Sequence, residues 1–191
     1  MARYLKGTQH NQFIINVDKM SMTEEGVIIE AYSDADFAAD KSDRKSVSGG
    51  VLMVAGIVVG WICKKQNCVA LSTMEAQFVA ASQTTADMLG LVEMLKEICV
   101  KTQVQSLLHV DNQAAIAQKT GEDTSRRANH IVVRYKFIMD LFKKEVLKVE
   151  YCESKAMRAD ILTKVLPAPR LDELRGLVML MGSNNLPGKE C

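Results

Sequence analysis

The chain has 191 residues, 48% of them hydrophobic, enough to bury one full core. Its 24 Lys and Arg nearly balance 23 Asp and Glu, which excludes a domain that grips nucleic acid through bulk positive charge and leaves only local basic clusters for such contacts. No stretch approaches the roughly 20 apolar residues that span a bilayer, the opening residues lack the apolar core of a secretory signal, and the five cysteines form no CxxC pair, so the expectation is an intracellular, cytoplasmic chain with no membrane contact and no structural zinc.

Residues 1–25 are polar and mixed and read as an arm or linker, residues 26–165 as one domain, and residues 166–191 as a C-terminal helix with a frayed tail. Gly26 opens an apolar run that ends at Asp34, a first strand. After a charged, turn-rich stretch, Gly49 and Gly50 introduce two β-rich runs, Val51 to Ala55 and Ile57 to Cys63, broken at Gly56, which predicts an antiparallel hairpin. Trp61, inside the second run, is expected in the core. From Ser72 the period changes: Ala76, Val79, Ala80, Ala86, Leu89, Val92, Leu95 and Ile98 recur mostly at three- and four-residue intervals. That spacing predicts the longest helix, over residues 73–99, capped by Ser72 or Thr73. Val104 to Val110 predicts a strand leading into Asp111, followed by a short helix from Asn112 to Ala117 and a polar loop. Ile131, Tyr135, Ile138 and Phe142 have helical spacing, Glu145 to Cys152 alternates as a strand, a short helix carries Asp160, and Leu171 to Met181 is a final helix beyond Pro167 and Pro169. Three strands before the first helix, then strands separated by helices, predict an α/β fold with a mixed sheet flanked by helices.

Asp34, Glu75, Asp111 and Asp160 each stand where a strand ends or a helix begins. An ionised carboxylate beside an apolar strand is costly unless a cation neutralises it, and several together repel one another. A pair of Mg²⁺ or Mn²⁺ ions about 4 Å apart takes oxygen ligands. Four acids meeting at one end of the sheet would therefore suit hydrolysis of a phosphodiester by metal-activated water, with no protein nucleophile. Singly, each has a plainer role: Asp111 as a helix cap, Glu75 as a first-turn residue favoured by the helix dipole. Their joint arrangement is what points to metal.

The segments Tyr32 to Asp40, Asp43 to Gly50, Ala70 to Ala76, Val110 to Ala117, Asn129 to Ile138 and Ala159 to Lys164 resemble, in that order, the ribonuclease H domain of copia-type LTR retrotransposon polyproteins. Arg3 to Thr8 resembles the end of the reverse transcriptase connection that precedes that domain. The resemblance implies a ribonuclease H-like fold with a central five-stranded mixed sheet. It implies metal-dependent endonucleolytic cleavage of the RNA strand of an RNA–DNA hybrid, with two Mg²⁺ or Mn²⁺ ions as cofactor and a reverse transcriptase as partner in cis. It also implies that Asp34, Glu75, Asp111 and Asp160 are the catalytic, metal-binding carboxylates. Asp36 competes for the first place, but it lies on the same strand face further beyond the strand. Integrase-type transferases share the fold and order their acids Asp, Asp, Glu, which this chain does not. Glu153 to Arg158 lacks the histidine that cellular ribonucleases H carry before the last aspartate, as copia-type domains commonly do, and His130 is the nearest substitute. Gln77 and Val133 stand where acids are common in the family, and neither is among the four.

Substrate contacts are expected from Asn112 and Gln113, beside Asp111, to the 2′-hydroxyls of RNA. Arg44, Lys45 and Ser46, with Ser48, Lys64, Lys65, Arg126 and Arg127, are expected on phosphates. A second reading is a domesticated retroelement copy, catalytically weak or inactive, serving as a nucleic-acid or protein binding module; the substituted flanking positions and near-zero net charge motivate it.

Overall fold

The computed structural model describes residues 6–15, 22–24, 26–102, 106–111 and 129–181. Along them run β1 (Gln12–Phe13), β2 (Met22–Thr23), β3 (Gly26–Val27), β4 (Ile29–Asp36), β5 (Val47–Val54), β6 (Ile57–Lys65), α1 (Thr73–Glu97), β7 (Ser106–Val110), α2 (Asn129–Lys143), β8 (Leu147–Tyr151), a single 3₁₀ turn (Ser154–Ala156), α3 (Asp160–Thr163), α4 (Ala168–Leu177) and β9 (Leu180–Met181). Five strands form one sheet in the order β6-β5-β4-β7-β8. The first three pair antiparallel, as the glycine-broken hairpin pattern predicts, and β7 and β8 join parallel to β4. The fold is therefore the expected ribonuclease H-like α/β arrangement of a five-stranded mixed sheet with helices.

Period-two alternation sends β4 side chains to two different cores. Ile29 and Ala31 join Leu52, Phe78, Met88, Val92, Leu95, Leu108 and Ile138 beneath α1 and α2. Tyr32 joins Val51, Met53, Val58, Met157 and Ala159 on the other face. The α1 helix starts where Ser72 accepts the backbone N–H of Glu75 at 3.1 Å, satisfying one of the free donors of the first turn. Its N-terminal half packs through small residues, Ala76 and Ala80 against Ala35 and Ala70, so helix and sheet approach closely.

Two adjacent glycines in β5 set that approach on both faces. A Cβ built on Gly50 would stand 2.6 Å from Thr84 Oγ1 of α1, and one on Gly49 would stand 2.5 Å from Thr163 Cγ2 and 3.1 Å from the Ala159 carbonyl. Gly49 and Gly50 pair with Asp34 and Ser33 of β4, so α1 and α3 close on the sheet at the residue singled out as the first acid.

The structure departs from expectation at several points. β4 continues two residues past Asp34. The last helix stops at Leu177, and Leu180–Met181 instead pairs antiparallel with Gln12–Phe13, so part of the arm adds a two-residue strand. Trp61 is not in the core: it is 70% exposed, because β6 is an edge strand and α3 and β9 cover only part of its face. It lines an apolar cleft with Phe13, Val58, Leu162 and Leu180. The helix expected at 112–117 and the tail at 182–191 lie outside the described residues.

A Gly49→Ala substitution forces α3 outward against backbone and should cost about 1–3 kcal/mol, read as a lower midpoint in urea unfolding. Tyr32 gives a pH signature. Burial, partly offset by the nearby Arg158 charge, pushes its phenol up to about 12 from the ordinary 10.0. The unfolded chain then ionises first, so stability should be constant with respect to this group below pH 10.0 and fall as pH rises towards 12. Absorbance titration should show one tyrosine ionising late in the native protein, a lag that Tyr32→Phe removes.

Candidate active site

Ser33 pairs with Val110 across the parallel β4–β7 ladder, so Asp34, still within β4, and Asp111, just past the end of β7, follow side by side on neighbouring strands. Asp160 opens α3, which Gly49 admits against β5 at the partner of Asp34. The three aspartates thus come from a central strand, its parallel neighbour and a helix start. They sense one another: burial first, then the charges of Asp34 and Asp160, hold the Asp111 carboxyl above its ordinary range. Burial likewise raises Asp160, and Asp34 adds to the rise, while the hydrogen bond and charge of Lys164 oppose it.

Asp34 is fully buried, and its charge is met by side chains. Its Oδ1 accepts from Gln77 Nε2 at 3.1 Å, and its Oδ2 accepts from the Thr163 hydroxyl. Lys164 Nζ lies 3.3 Å from the same Oδ2 and 2.5 Å from Asp160 Oδ1, and an Arg170 guanidinium nitrogen stands 4.0 Å from the other Asp160 oxygen. Burial pulls the Lys164 ammonium towards neutrality, but its bonds and attraction to Asp160 and Asp34 outweigh this and raise it. Lys164 is therefore the ammonium that bridges Asp34 and Asp160.

Glu75 does not join these three. Its Oε2 turns back to accept the Leu71 backbone N–H at 2.8 Å, reinforcing the start of its own helix. The side chain of α1 that reaches Asp34 is Gln77, buried and also 3.4 Å from the Ala35 carbonyl. With Glu75 bonded to Leu71, the place opposite Asp34 Oδ1 is taken by Gln77: residues two apart on a helix point about 200° from each other, and the face carrying Ala76 and Ala80 turns Gln77 to the sheet. The sequence held one signal for this, a polar residue set among Ala76, Phe78, Val79, Ala80 and Ala81, all buried.

The expected substrate residues divide. Ser46 is buried, and its hydroxyl accepts the Ala38 N–H at 3.1 Å. Ser48 is also buried, accepting from Gln66 at 2.9 Å. Lys45 lies 3.7 Å from Asp43, and Lys65 is held between Asp40 and Asp43 at 2.5 and 2.9 Å, which neutralises much of that cluster. Arg44 and Lys64 are exposed. Asn112, Gln113, Arg126, Arg127 and the side chain of His130 lie outside the described ones.

As the side chains stand, no group of three or more His, Cys, Asp and Glu among the described residues is arranged around a point that could hold a metal ion. The chemistry of Asp34, Asp111 and Asp160 suits a hard divalent cation, which takes carboxylate oxygens, with Lys164 the group such an ion would displace.

No protein-family model matches the chain. It is 35% identical over 178 residues to the retrovirus-related Pol polyprotein from transposon TNT 1-94 of Nicotiana tabacum, covering 93% of this chain and 13% of that protein. It is 30% identical over 167 residues to the Pol polyprotein from transposon RE1 of Arabidopsis thaliana, covering 87% of this chain and 11% of the relative. Among solved structures, the N-terminal RNase H domain of rv2228c from Mycobacterium tuberculosis superposes with a TM-score of 0.52 at 12% identity, covering 78% of this chain and 97% of that one. LC11-RNase H1, solved in complex with RNA/DNA hybrid, does so at 0.52 and 14% identity, covering 71% and 93%. The chain thus belongs with the retrovirus-related Pol polyproteins of plant transposons, as the counterpart of a short segment of them, and that segment has the fold of ribonuclease H.

Proposed function

We propose that this chain is a ribonuclease H-type endonuclease domain that acts on the RNA strand of RNA–DNA hybrids in Mg²⁺ or Mn²⁺, working in cis with a reverse transcriptase. The observation that carries this reading is Lys164 Nζ bridging Asp34 and Asp160, with Asp111 close enough to sense the charges of all three where β4 and β7 run side by side. A divalent ion held by these aspartates would supply a Lewis acid for the scissile phosphate and its attacking water. The chain's own part is positioning. Thr163 and Gln77 fix both oxygens of Asp34, while α3 places Asp160 in its first turn with the Arg170 guanidinium 4.0 Å away. Exposed Arg44 and Lys64 are available for backbone phosphates, and Asn112 and Gln113, which follow Asp111 in the sequence, are proposed for the 2′-hydroxyls that distinguish RNA. LC11-RNase H1, solved with RNA/DNA hybrid, supports the substrate class through its shared fold. The orientation of Glu75 favours a second reading, a hybrid-binding domain with little cleavage.

Labelled hybrid should be cut in Mn²⁺ and left intact in EDTA, and Asp34→Asn, Asp111→Asn and Asp160→Asn should each lower the rate by about 10²-fold or more, the scale of losing one preorganised charged group. Cutting that survives EDTA and Asp34→Asn sinks the nuclease reading; tight hybrid binding without cutting favours the second.

Lys164 serves the metal-free protein as counter-ion. Lys164→Gln should destabilise it by about 1–3 kcal/mol, less than the loss from a fully buried pair because the side chain is 37% exposed. Asp160 already binds its proton more tightly than the ordinary 3.8, so protonation should relieve the unpaired charge. The deficit in urea unfolding is then expected to be largest at neutral pH and to shrink as pH falls.

A further inference from the structure

The α1 helix offers the site one side chain, and it is an amide. Gln77 lies between two acceptors, Asp34 Oδ1 at 3.1 Å and the Ala35 carbonyl at 3.4 Å. Neither a carboxylate nor a carbonyl can donate, so the nitrogen end of the amide must face them. With Thr163 and Lys164 on Oδ2, both oxygens of Asp34 are engaged by protein donors. A carboxylate at this place could not make the Gln77 bond: two anions would face each other, and a cation between them would be the natural remedy. The amide satisfies Asp34 without one.

We infer that Gln77, and not Glu75, is the helix-borne residue of this site, and that its amide, by donating to Asp34, stands in for a cation-bridged carboxylate and leaves the chain with weak affinity for divalent metal. The inference rests on reading the aspartates as metal ligands. It makes the protein a slow nuclease, one substitution from a faster one. Gln77→Glu is nearly isosteric, removes a donor from Asp34 and adds an oxygen ligand of the kind hard cations take.

Calorimetric titration with Mn²⁺ alone, with no nucleic acid present, tests it on the wild type, Gln77→Glu and Glu75→Gln. Gln77→Glu should bind Mn²⁺ at least about tenfold more tightly, within the range by which ligand-shell groups alter metal affinity. It should melt lower than the wild type in EDTA and gain more on adding Mn²⁺, while Glu75→Gln should bind as the wild type does. Unchanged Mn²⁺ affinity in Gln77→Glu, or a tenfold loss in Glu75→Gln, overturns the inference, and the second outcome remains readable even if Gln77→Glu folds poorly. Hybrid cleavage is scored separately. Tighter Mn²⁺ binding with no cleavage by any variant keeps the role of Gln77 and removes the nuclease reading.

Discussion

A carboxylate with no access to water sits at the centre of this molecule. Burying an unpaired charge of this kind costs several kcal/mol (about the scale of a broken buried ion pair), so Asp34 can exist only if donors reach it from both sides of the sheet. Gly49 and Gly50 make that possible. Lacking side chains on opposite faces of β5, they let α1 and α3 close in, one bringing the Gln77 amide and the other Thr163 and Lys164. Packing and electrostatics are one problem here, since widening either gap would leave the charge without partners.

The polar side of the sheet continues this logic away from the aspartates. His109 pairs with Glu30 at 3.2 Å across β4 and β7 and stacks on Tyr32, ring centroids 4.4 Å apart. The His109 hydrogen bond holds the Glu30 carboxyl below its ordinary range against the opposing effect of burial. Arg158 lies 4.2 Å above the Tyr32 ring and donates to the Leu177 carbonyl. Because Arg158 is two residues before Asp160, this stack anchors the segment that delivers the third aspartate and ties it to the end of α4. A cation–π contact of this kind contributes about 0.5–2 kcal/mol, enough to hold a short connection in one place.

Much of this was legible in the sequence because it depends on local periodicity. The hairpin and α1 follow from alternation and helical spacing, and Asp34, Asp111 and Asp160 stand out as acids beside apolar runs, where a charge is costly without a partner. What the sequence hid concerns which way a side chain turns. Glu75 satisfies every local rule for a first-turn acid, and those rules say nothing about the face it shares; only the packing of Ala76 and Ala80 against Ala35 decides that Gln77 turns inward. Ser46 reads as a surface serine in a charged stretch, yet a turn folds it under Ala38. Trp61 reads as core because an apolar strand does not announce that it lies at an edge.

The pairing of Gln12–Phe13 with Leu180–Met181 gives the polypeptide a clasp linking what comes before the sheet to what comes after α4. Any shortened version beginning at Gly26 would open this clasp, strip Phe13 from the wall it shares with Trp61 and Leu162, and widen an apolar cleft in which Trp61 is already 70% exposed. The stretch that reads as a leader is thus a structural part of the molecule's apolar surface.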